Sequence, residues 1–488
     1  MAKRVCVIDI GSNSVRMVVY EKTSRFAFHL LYESKSKVRL SENAYQNSGN
    51  LQQEPMQRTF DALSDFLTIS SSFGVKKILC VATSALRDAP NKKEFTQRVK
   101  HKLKLNIKVI EGVKEAYFGG IACANLLSEQ TNALSIDIGG GSTEFSTINK
   151  KDVTNTFSLN LGTVRLKELF FDKGDIEGAI ECIDDKLSVL DNIDASTLIG
   201  IGGTFRAISS SIMKISEYPL NKIHGYEYPI EIFEIFLNNV HKADINELNN
   251  LGINANRYDV IKPGALILQR VLKKLSVKNI VTSGVGVREG VYLADLLRGS
   301  KDKFPAHYNT SVRYLLDAHL NDKNLSNQIS SLSKKIFDLT YEHLNIDKKY
   351  RYELSIASKL YPTGGNVHFY SKNRHSYYLI QSALEYGFKH EQILLIATLA
   401  RYAKNKLPSA SHIEKYSELL PDTQTLNRLS YIISLSIILL SHKPRNIDFE
   451  LLFKDGVLSV DSKRVLHLSR EALRKLEVID SLEVSFLK

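Results

Sequence analysis

Cysteine is scarce in this chain. The four in 488 residues (Cys6, Cys80, Cys123 and Cys182) are scattered, with no Cys-x-x-Cys pair and no spacing of metal ligands. A disulfide framework and a thiolate metal centre are therefore excluded as the organising chemistry. Cys6, Cys80 and Cys123 lie in apolar surroundings and are expected as buried, reduced thiols. Long hydrophobic runs are missing too. The greasiest stretch, Leu429 to Leu440, is shorter than the ~20 residues a membrane span needs and is interrupted by Ser430, Ser434 and Ser436. It reads as a buried helix. Met1-Ala2-Lys3-Arg4 leads directly into a strand pattern, leaving no room for a signal peptide, and no low-complexity tract follows. The expectation is a cytoplasmic globular protein.

Negative charge is also in deficit, with 53 Asp and Glu against 65 Lys and Arg, a formal net charge of +12. That surplus favours polyanionic partners, whether nucleic acid, anionic lipid or a phosphorylated small molecule, and does not choose among them. A chain of 488 residues exceeds one ordinary core and suggests about three domains. Strand and helix patterns alternate to about Ser128 and restart at Asn132, with apolar runs entering Gly-containing turns at Leu198–Gly202 and Asn279–Ser283. Beyond the charged stretch Arg298–Lys303, Tyr308 to about Leu440 has helical spacing, broken at Pro362-Thr363-Gly364-Gly365, and short strand-like pieces follow at 449–453 and 457–460. The expected class is α/β, with lobes at 1–128 and 129–300, a linker near 300, and a mainly helical domain at 301–488.

The strongest positive signal is a pair. Val5-Cys6-Val7-Ile8-Asp9-Ile10-Gly11-Ser12-Asn13-Ser14-Val15-Arg16 and Ala133-Leu134-Ser135-Ile136-Asp137-Ile138-Gly139-Gly140-Gly141-Ser142-Thr143-Glu144 both read as an apolar strand, an acid, a small-residue turn and a second strand. Placing Asp9 on Asp137 puts Gly11 on Gly139, Ser14 on Ser142 and Arg16 on Glu144. Two such hairpins facing each other form a phosphate cradle, because Gly, Ser and Asn expose backbone N–H groups. Ser12, Asn13, Ser14, Ser142 and Thr143 add side-chain donors, and Arg16 and Arg87 offer guanidinium forks for phosphoryl oxygens. Asp9, Asp137 and Glu144 are hard oxygen ligands suited to Mg²⁺. Glu115, which starts a helix after the strand ending at Ile110, is a candidate base for orienting water. Alone, it would more often be a solvated acid at a helix N-terminus, with Lys114 as ion partner. Lys35, Lys37 and Arg39 alternate, which places them on one face of a strand.

With those stretches, Ala82-Thr83-Ser84-Ala85-Leu86-Arg87, Val109-Ile110-Glu111-Gly112-Val113-Lys114-Glu115-Ala116, Gly202-Gly203-Thr204, Pro263-Gly264-Ala265 and Ser283-Gly284-Val285-Gly286-Val287-Arg288-Glu289-Gly290 run in the order of the exopolyphosphatase and guanosine pentaphosphate phosphatase (Ppx/GppA) family, which the chain resembles over about its first 300 residues. The resemblance implies two lobes of the actin, Hsp70 and sugar-kinase superfold. It implies Glu115 as catalytic base, Asp137 and Glu144 as ligands of Mg²⁺ or another divalent cation, and Gly11–Ser14, Gly139–Ser142, Asp9, Arg16 and Arg87 as phosphate binders. The implied substrate is inorganic polyphosphate or guanosine pentaphosphate (pppGpp), in a homodimer with no membrane and no specific nucleic-acid partner. One departure is visible: Glu111 and Lys114 replace the Ser and first Glu of the family's usual Ser-Gly-x-Glu-Glu-Ala. The helical part resembles the HD-like domain of longer members, but no His-Asp dipeptide occurs and Leu360-Tyr361-Pro362-Thr363-Gly364 stands where its ligands would lie. His375 remains alone, so a degenerate HD-like domain is expected. Two other functions stay open: an ATP-dependent kinase of the same superfold using Gly202, Gly203 and Thr204 against a nucleotide, and a non-catalytic sensor of pppGpp or polyphosphate.

Overall fold

Val5-Cys6-Val7-Ile8 is apolar on both faces, and in the computed structural model, which describes residues 3–479 and 482–487, it is buried at the middle of a sheet. Strands β1 (Arg4–Ile10), β2 (Val15–Lys22), β3 (Phe28–Ser36), β4 (Lys77–Ala82) and β5 (Lys108–Val109) take the order β3-β2-β1-β4-β5. A second sheet holds β6 (Ala133–Ile138), β7 (Thr143–Asn149), β8 (Asp152–Leu159), β9 (Thr197–Ile201), β10 (Tyr226–Pro229) and β11 (Asn279–Thr282), in the order β10-β11-β9-β6-β7-β8. With β10 set aside as an added edge, the two orders superimpose strand for strand. The directions agree as well: β1 and β6 each pair antiparallel with the strand after them and parallel with the strand after the next crossover. Each sheet has its own core, one around Ile8, Ile10 and Phe66, the other around Ile136, Phe145 and Phe205. The repeat seen in the two hairpins is thus a repeat of whole lobes.

The helix Gly112–Leu126 follows β5 in the first lobe yet packs on the second. Gly120 permits this, since a Cβ there would lie 2.6 Å from Val153 and 2.9 Å from Ser146 Oγ, and Ser146 Oγ donates to the Ala116 carbonyl (2.7 Å). Its other side meets the helix Val287–Leu296 so closely that a Cβ on Gly290 would stand 1.9 Å from the Phe118 carbonyl oxygen.

Cys6, Cys80 and Cys123 are buried and all four thiols are free. The charged stretch 298–303 differs from the expected linker: Asp302 accepts from Tyr117 Oη (2.8 Å), its carbonyl accepts from Asn125 Nδ2 (2.9 Å), and Lys303 pairs with Asp152. The segment is docked because its charges have partners there, and the compact unit runs on to Tyr308.

Residues from Asn309 onward form a second unit, mainly helical. Its helices include Lys323–Thr340, Lys372–Ala383, His390–Tyr402 and Thr423–Leu439, with β12 (Glu450–Lys454), β13 (Val457–Asp461) and β14 (Glu483–Phe486) in one small sheet. The apolar run at 429–440 forms the C-terminal part of a buried helix, Thr423–Leu439, and its cap, and Ser436 Oγ returns its hydrogen bond to the Ile432 carbonyl (2.8 Å). Pro362-Thr363-Gly364-Gly365 forms a 3-10 turn, Tyr361–Asn366. Among the described residues no helix is long and apolar enough to cross a membrane.

Candidate active site

Both Asp-Ile-Gly segments close as hairpins of the same geometry. Gly11 N–H donates to the Ser14 carbonyl (3.2 Å) and Gly139 N–H to that of Ser142 (2.9 Å). Asp9 stands opposite Arg16, as Asp137 stands opposite Glu144. The next strand extends each row, to Lys35 in the first lobe and Ser158 in the second. One row therefore reads acid, cation, cation and the other acid, acid, hydroxyl. The turns meet closely: a Cβ on Gly140 would be 2.8 Å from the Ser12 Cβ, and one on Gly141 would be 2.3 Å from the Tyr45 hydroxyl. Only glycine backbone fits between the lobes there.

A cavity of about 160 Å³ lies at this junction. Asp9, Gly11, Ser12, Asn13, Ser14 and Arg16 line it from the first lobe, and Asp137, Gly139, Gly140, Ser142 and Glu144 from the second. Glu115, Gly202, Gly203 and Thr204 complete the set of residues expected from sequence that face it. Three expected residues stand behind the wall instead. Thr143 is fully buried and its Oγ1 donates to the Leu161 carbonyl. Gly141 is turned to Tyr45 and Ser84, and Arg87 reaches Glu115 Oε2 (2.9 Å), Ser142 Oγ (3.3 Å) and the Ile110 carbonyl (3.3 Å). Arg87 is thus the ion partner of Glu115. Lys114, offered for that role by adjacency, turns away over the rings of Tyr117 (4.3 Å) and Phe118 (4.9 Å). Helix geometry explains the difference, because neighbours one apart do not share a face. The helix begins at Gly112, so Glu115 sits within its first turn and not at its start.

Burial sets the electrostatics. Glu115 is held well above the usual carboxylate range by desolvation and then by the charge of Glu144, against the pull of Arg87. Desolvation likewise raises Glu144, and it raises Asp137 to about 6 although Arg206 opposes it. Asp9 is raised by burial, and its Oδ1 has no hydrogen-bond partner. Opposite these acids stands a basic wall. Arg16 is lowered to about 10 by burial, then by Arg288 and Arg206, and Lys35 to about 8 by burial, then by Arg16, Arg257 and Arg206.

The acid side suits a cation. Asp137, Glu144 and the unpartnered Asp9 oxygen are hard donors whose raised affinity for protons a cation would lower. Among the described residues no three His, Cys, Asp or Glu side chains converge to hold a metal unaided. A cation on this side would need waters or phosphate oxygens to complete its shell, as Mg²⁺ accepts, and would not sit in a cage built from protein ligands alone.

Two family models match this chain. That of the Ppx/GppA phosphatase family covers residues 18–299, and that of its domain III covers 309–474. The chain belongs to the Ppx/GppA phosphatase family. The crystal structure of the Aquifex aeolicus Ppx/GppA family member is similar, at 25% identity and a TM-score of 0.53, covering 62% of this chain and 99% of that one. The exopolyphosphatase of Cytophaga hutchinsonii matches at 25% identity and a TM-score of 0.56, covering 62% of this chain and 100% of that one. A bifunctional 3-dehydroquinate synthase/phosphatase of Fusobacterium nucleatum is 32% identical over 298 residues, 57% of this chain and 44% of that protein. The chain thus spans less than half the length of this curated relative.

The Ppx/GppA cavity also contains residues that the sequence reading left without a role. Arg206, Arg257, Arg288, Glu289, Thr83 and Ser84 line it. Arg206 Nε donates to the Gly202 carbonyl (3.0 Å), and the Arg257 guanidinium lies so close to Gly203 that it leaves no room for a Cβ there. Arg288 binds Glu33 (2.6 Å), while Glu289 accepts from Tyr20 Oη (2.6 Å) and Gly286 N–H (2.8 Å). Arg206 and Arg288 follow closely on the two glycine turns that did stand out, which was the available signal.

Proposed function

We propose that this cavity releases the terminal phosphate from a phosphoanhydride, inorganic polyphosphate or guanosine pentaphosphate, with Glu115 as general base. One observation carries the reading: a buried carboxylate, fixed by Arg87 at 2.9 Å, faces a cavity walled by the two Gly- and Ser-containing turns. Burial, and then the charge of Glu144, raise the proton affinity of Glu115, which is the direction a general base needs. In the proposed step, water oriented by Glu115 attacks the terminal phosphorus and gives its proton to that carboxylate. The new P–O bond forms as the anhydride P–O bond breaks, and the electron pair leaves on the bridging oxygen of the shortened chain. Backbone N–H groups within the turns Gly11–Ser14 and Gly139–Ser142, other than those of Gly11 and Gly139 that close the turns, hold the phosphoryl oxygens. The leaving chain carries its charge toward Arg16, Arg206, Arg257, Arg288 and Lys35. Mg²⁺ held by Asp137 and Glu144, when bound, would supply charge neutralisation at the phosphoryl oxygens.

Similarity to the Cytophaga hutchinsonii exopolyphosphatase supports polyphosphate as substrate, and the five-cation wall suits either polyanion. The test is phosphate release from polyphosphate and pppGpp, with and without Mg²⁺, for wild type and Glu115→Gln. Wild type with Mg²⁺ is expected to release phosphate from at least one of them, and Glu115→Gln to lose about 10²–10⁴-fold in kcat while still binding. Release unchanged in Glu115→Gln would remove the proposed base; no release from either substrate would remove the activity.

A further inference from the structure

The helical unit has a cavity of its own, of about 640 Å³, lined by Tyr370, Ser371, Asn373 and Arg374 on one side and by Arg401, Tyr402, Lys404, Asn405 and Lys406 on the other. Its lining contains four cations and no carboxylate: Arg374, Arg401, Lys404 and Lys406. None of the four is ion-paired to an acid among the described residues. Arg401 is instead set over the rings of Tyr377 (4.9 Å) and Tyr402 (5.5 Å), an arrangement that orients a guanidinium without cancelling its charge. Asn373 Nδ2 donates to the Arg401 carbonyl (2.6 Å), tying the two walls together. Lys372 and Lys443 add to the positive field, for Lys372 is lowered by burial and by the repulsion of Lys443 and Lys404. At the mouth, Tyr370 is 79% exposed beside Phe369 at 68%, although both are large aromatics.

We infer that this cavity is a second ligand site, one that takes a nucleoside polyphosphate, with Arg401, Arg374, Lys404 and Lys406 on the phosphates and Tyr370 on the base. Four cations with no acid partner on one concave surface call for an anion, and the volume suits one nucleotide. A flat exposed ring at the rim adds what a bare phosphate chain would not use, a stacking surface. The lining offers no carboxylate to activate water or hold a metal, so the site binds its ligand without hydrolysing it. The inference does not rest on the reading of the first unit.

The full chain tests it by calorimetric titration with GTP, together with photo-crosslinking by 8-azido-GTP and mapping of the labelled peptides. The expected result is a GTP site labelled within residues 370–406. Its affinity should fall at least tenfold in the surface variant Lys404→Glu/Lys406→Glu, with phosphate release at the first unit unchanged. Tyr370→Ala should weaken GTP severalfold and leave binding of inorganic triphosphate as it was. Absence of label from 370–406, or affinity unaltered by the charge reversal, would overturn the site. Triphosphate binding as tightly as GTP, with Tyr370→Ala silent, would overturn its nucleoside character, and so would an RNA oligonucleotide that displaces GTP mole for mole.

Discussion

Asp9, Arg16 and Lys35 stand side by side across β1, β2 and β3, so two cations face each other on neighbouring strands. Like charges in that relation destabilise a sheet, and an anion bridging them removes the repulsion. Lys35 is the partner that can give up its charge, because burial and then Arg16 bring its proton affinity down to about 8. The sign follows directly: a lysine is charged below its pKa, so the cavity is more positive at pH 7 than at pH 9. KM for polyphosphate is therefore expected to rise severalfold between those limits in wild type. It should stay level in Lys35→Arg, since a guanidinium keeps its proton throughout. A wild-type KM that is level from pH 7 to 9 would show that Lys35 does not bear on the substrate. Arg87 makes a different prediction. It faces Glu115 from behind the wall, so Arg87→Ala should leave KM nearly unchanged and lower kcat by about 10²-fold through misplacement of the base. A change confined to KM would make Arg87 a direct phosphate ligand instead.

At the scale of elements, the helix Gly112–Leu126 connects the lobes to the chemistry, since it carries Glu115 and is wedged against Val287–Leu296. Gly290→Ala would drive a methyl group into the Phe118 carbonyl, a backbone atom that cannot swing aside. Overpacking of this kind costs about 1–3 kcal/mol, so the midpoint of thermal unfolding should fall, and phosphate release with it. Gly299→Ala is the control, because nothing lies within 4 Å of its new methyl and its midpoint should not move. Equal midpoints in the two variants would refute the wedge. This element also marks how far the sequence could be read. The hairpins were legible because strand, acid and turn follow one another within a dozen residues, and their grammar is local. The helix itself was legible, but not its seat on the other lobe, which depends on the small surfaces of Gly120 and Gly290 meeting residues far along the chain. Arg206, Arg257 and Arg288 escaped for the same reason. Each lies on or just before a helix, Arg206 and Arg288 close after glycine turns and Arg257 with no such signal beside it, and only the crossover connections of the second sheet bring them to Lys35 on β3.

Taken as a whole, the molecule keeps every residue of the candidate active site within Met1–Tyr308, while the second cation-lined cavity lies wholly after Asn309. The two matched family models divide the chain in the same interval, ending at 299 and beginning at 309. Each unit also has its own core, with Leu315, Phe337, Ile396 and Ile432 buried in the second. The first unit, expressed as residues 1–308, should therefore fold and release phosphate from inorganic triphosphate with kcat within about threefold of the full chain, since Glu115, Arg87 and both turns remain. Salt separates local from long-range binding on the same pair of proteins. The net charge of +12 attracts a polyanion beyond the cavity, and such attraction is screened over about 10 Å at 0.1 M salt. For the full chain, kcat/KM on long polyphosphate should fall more steeply with ionic strength than on triphosphate, whose charge is already enclosed by the five-cation wall. If both substrates lose rate with the same slope, the cavity alone accounts for recognition, and the charge spread over the rest of the surface has no part in it.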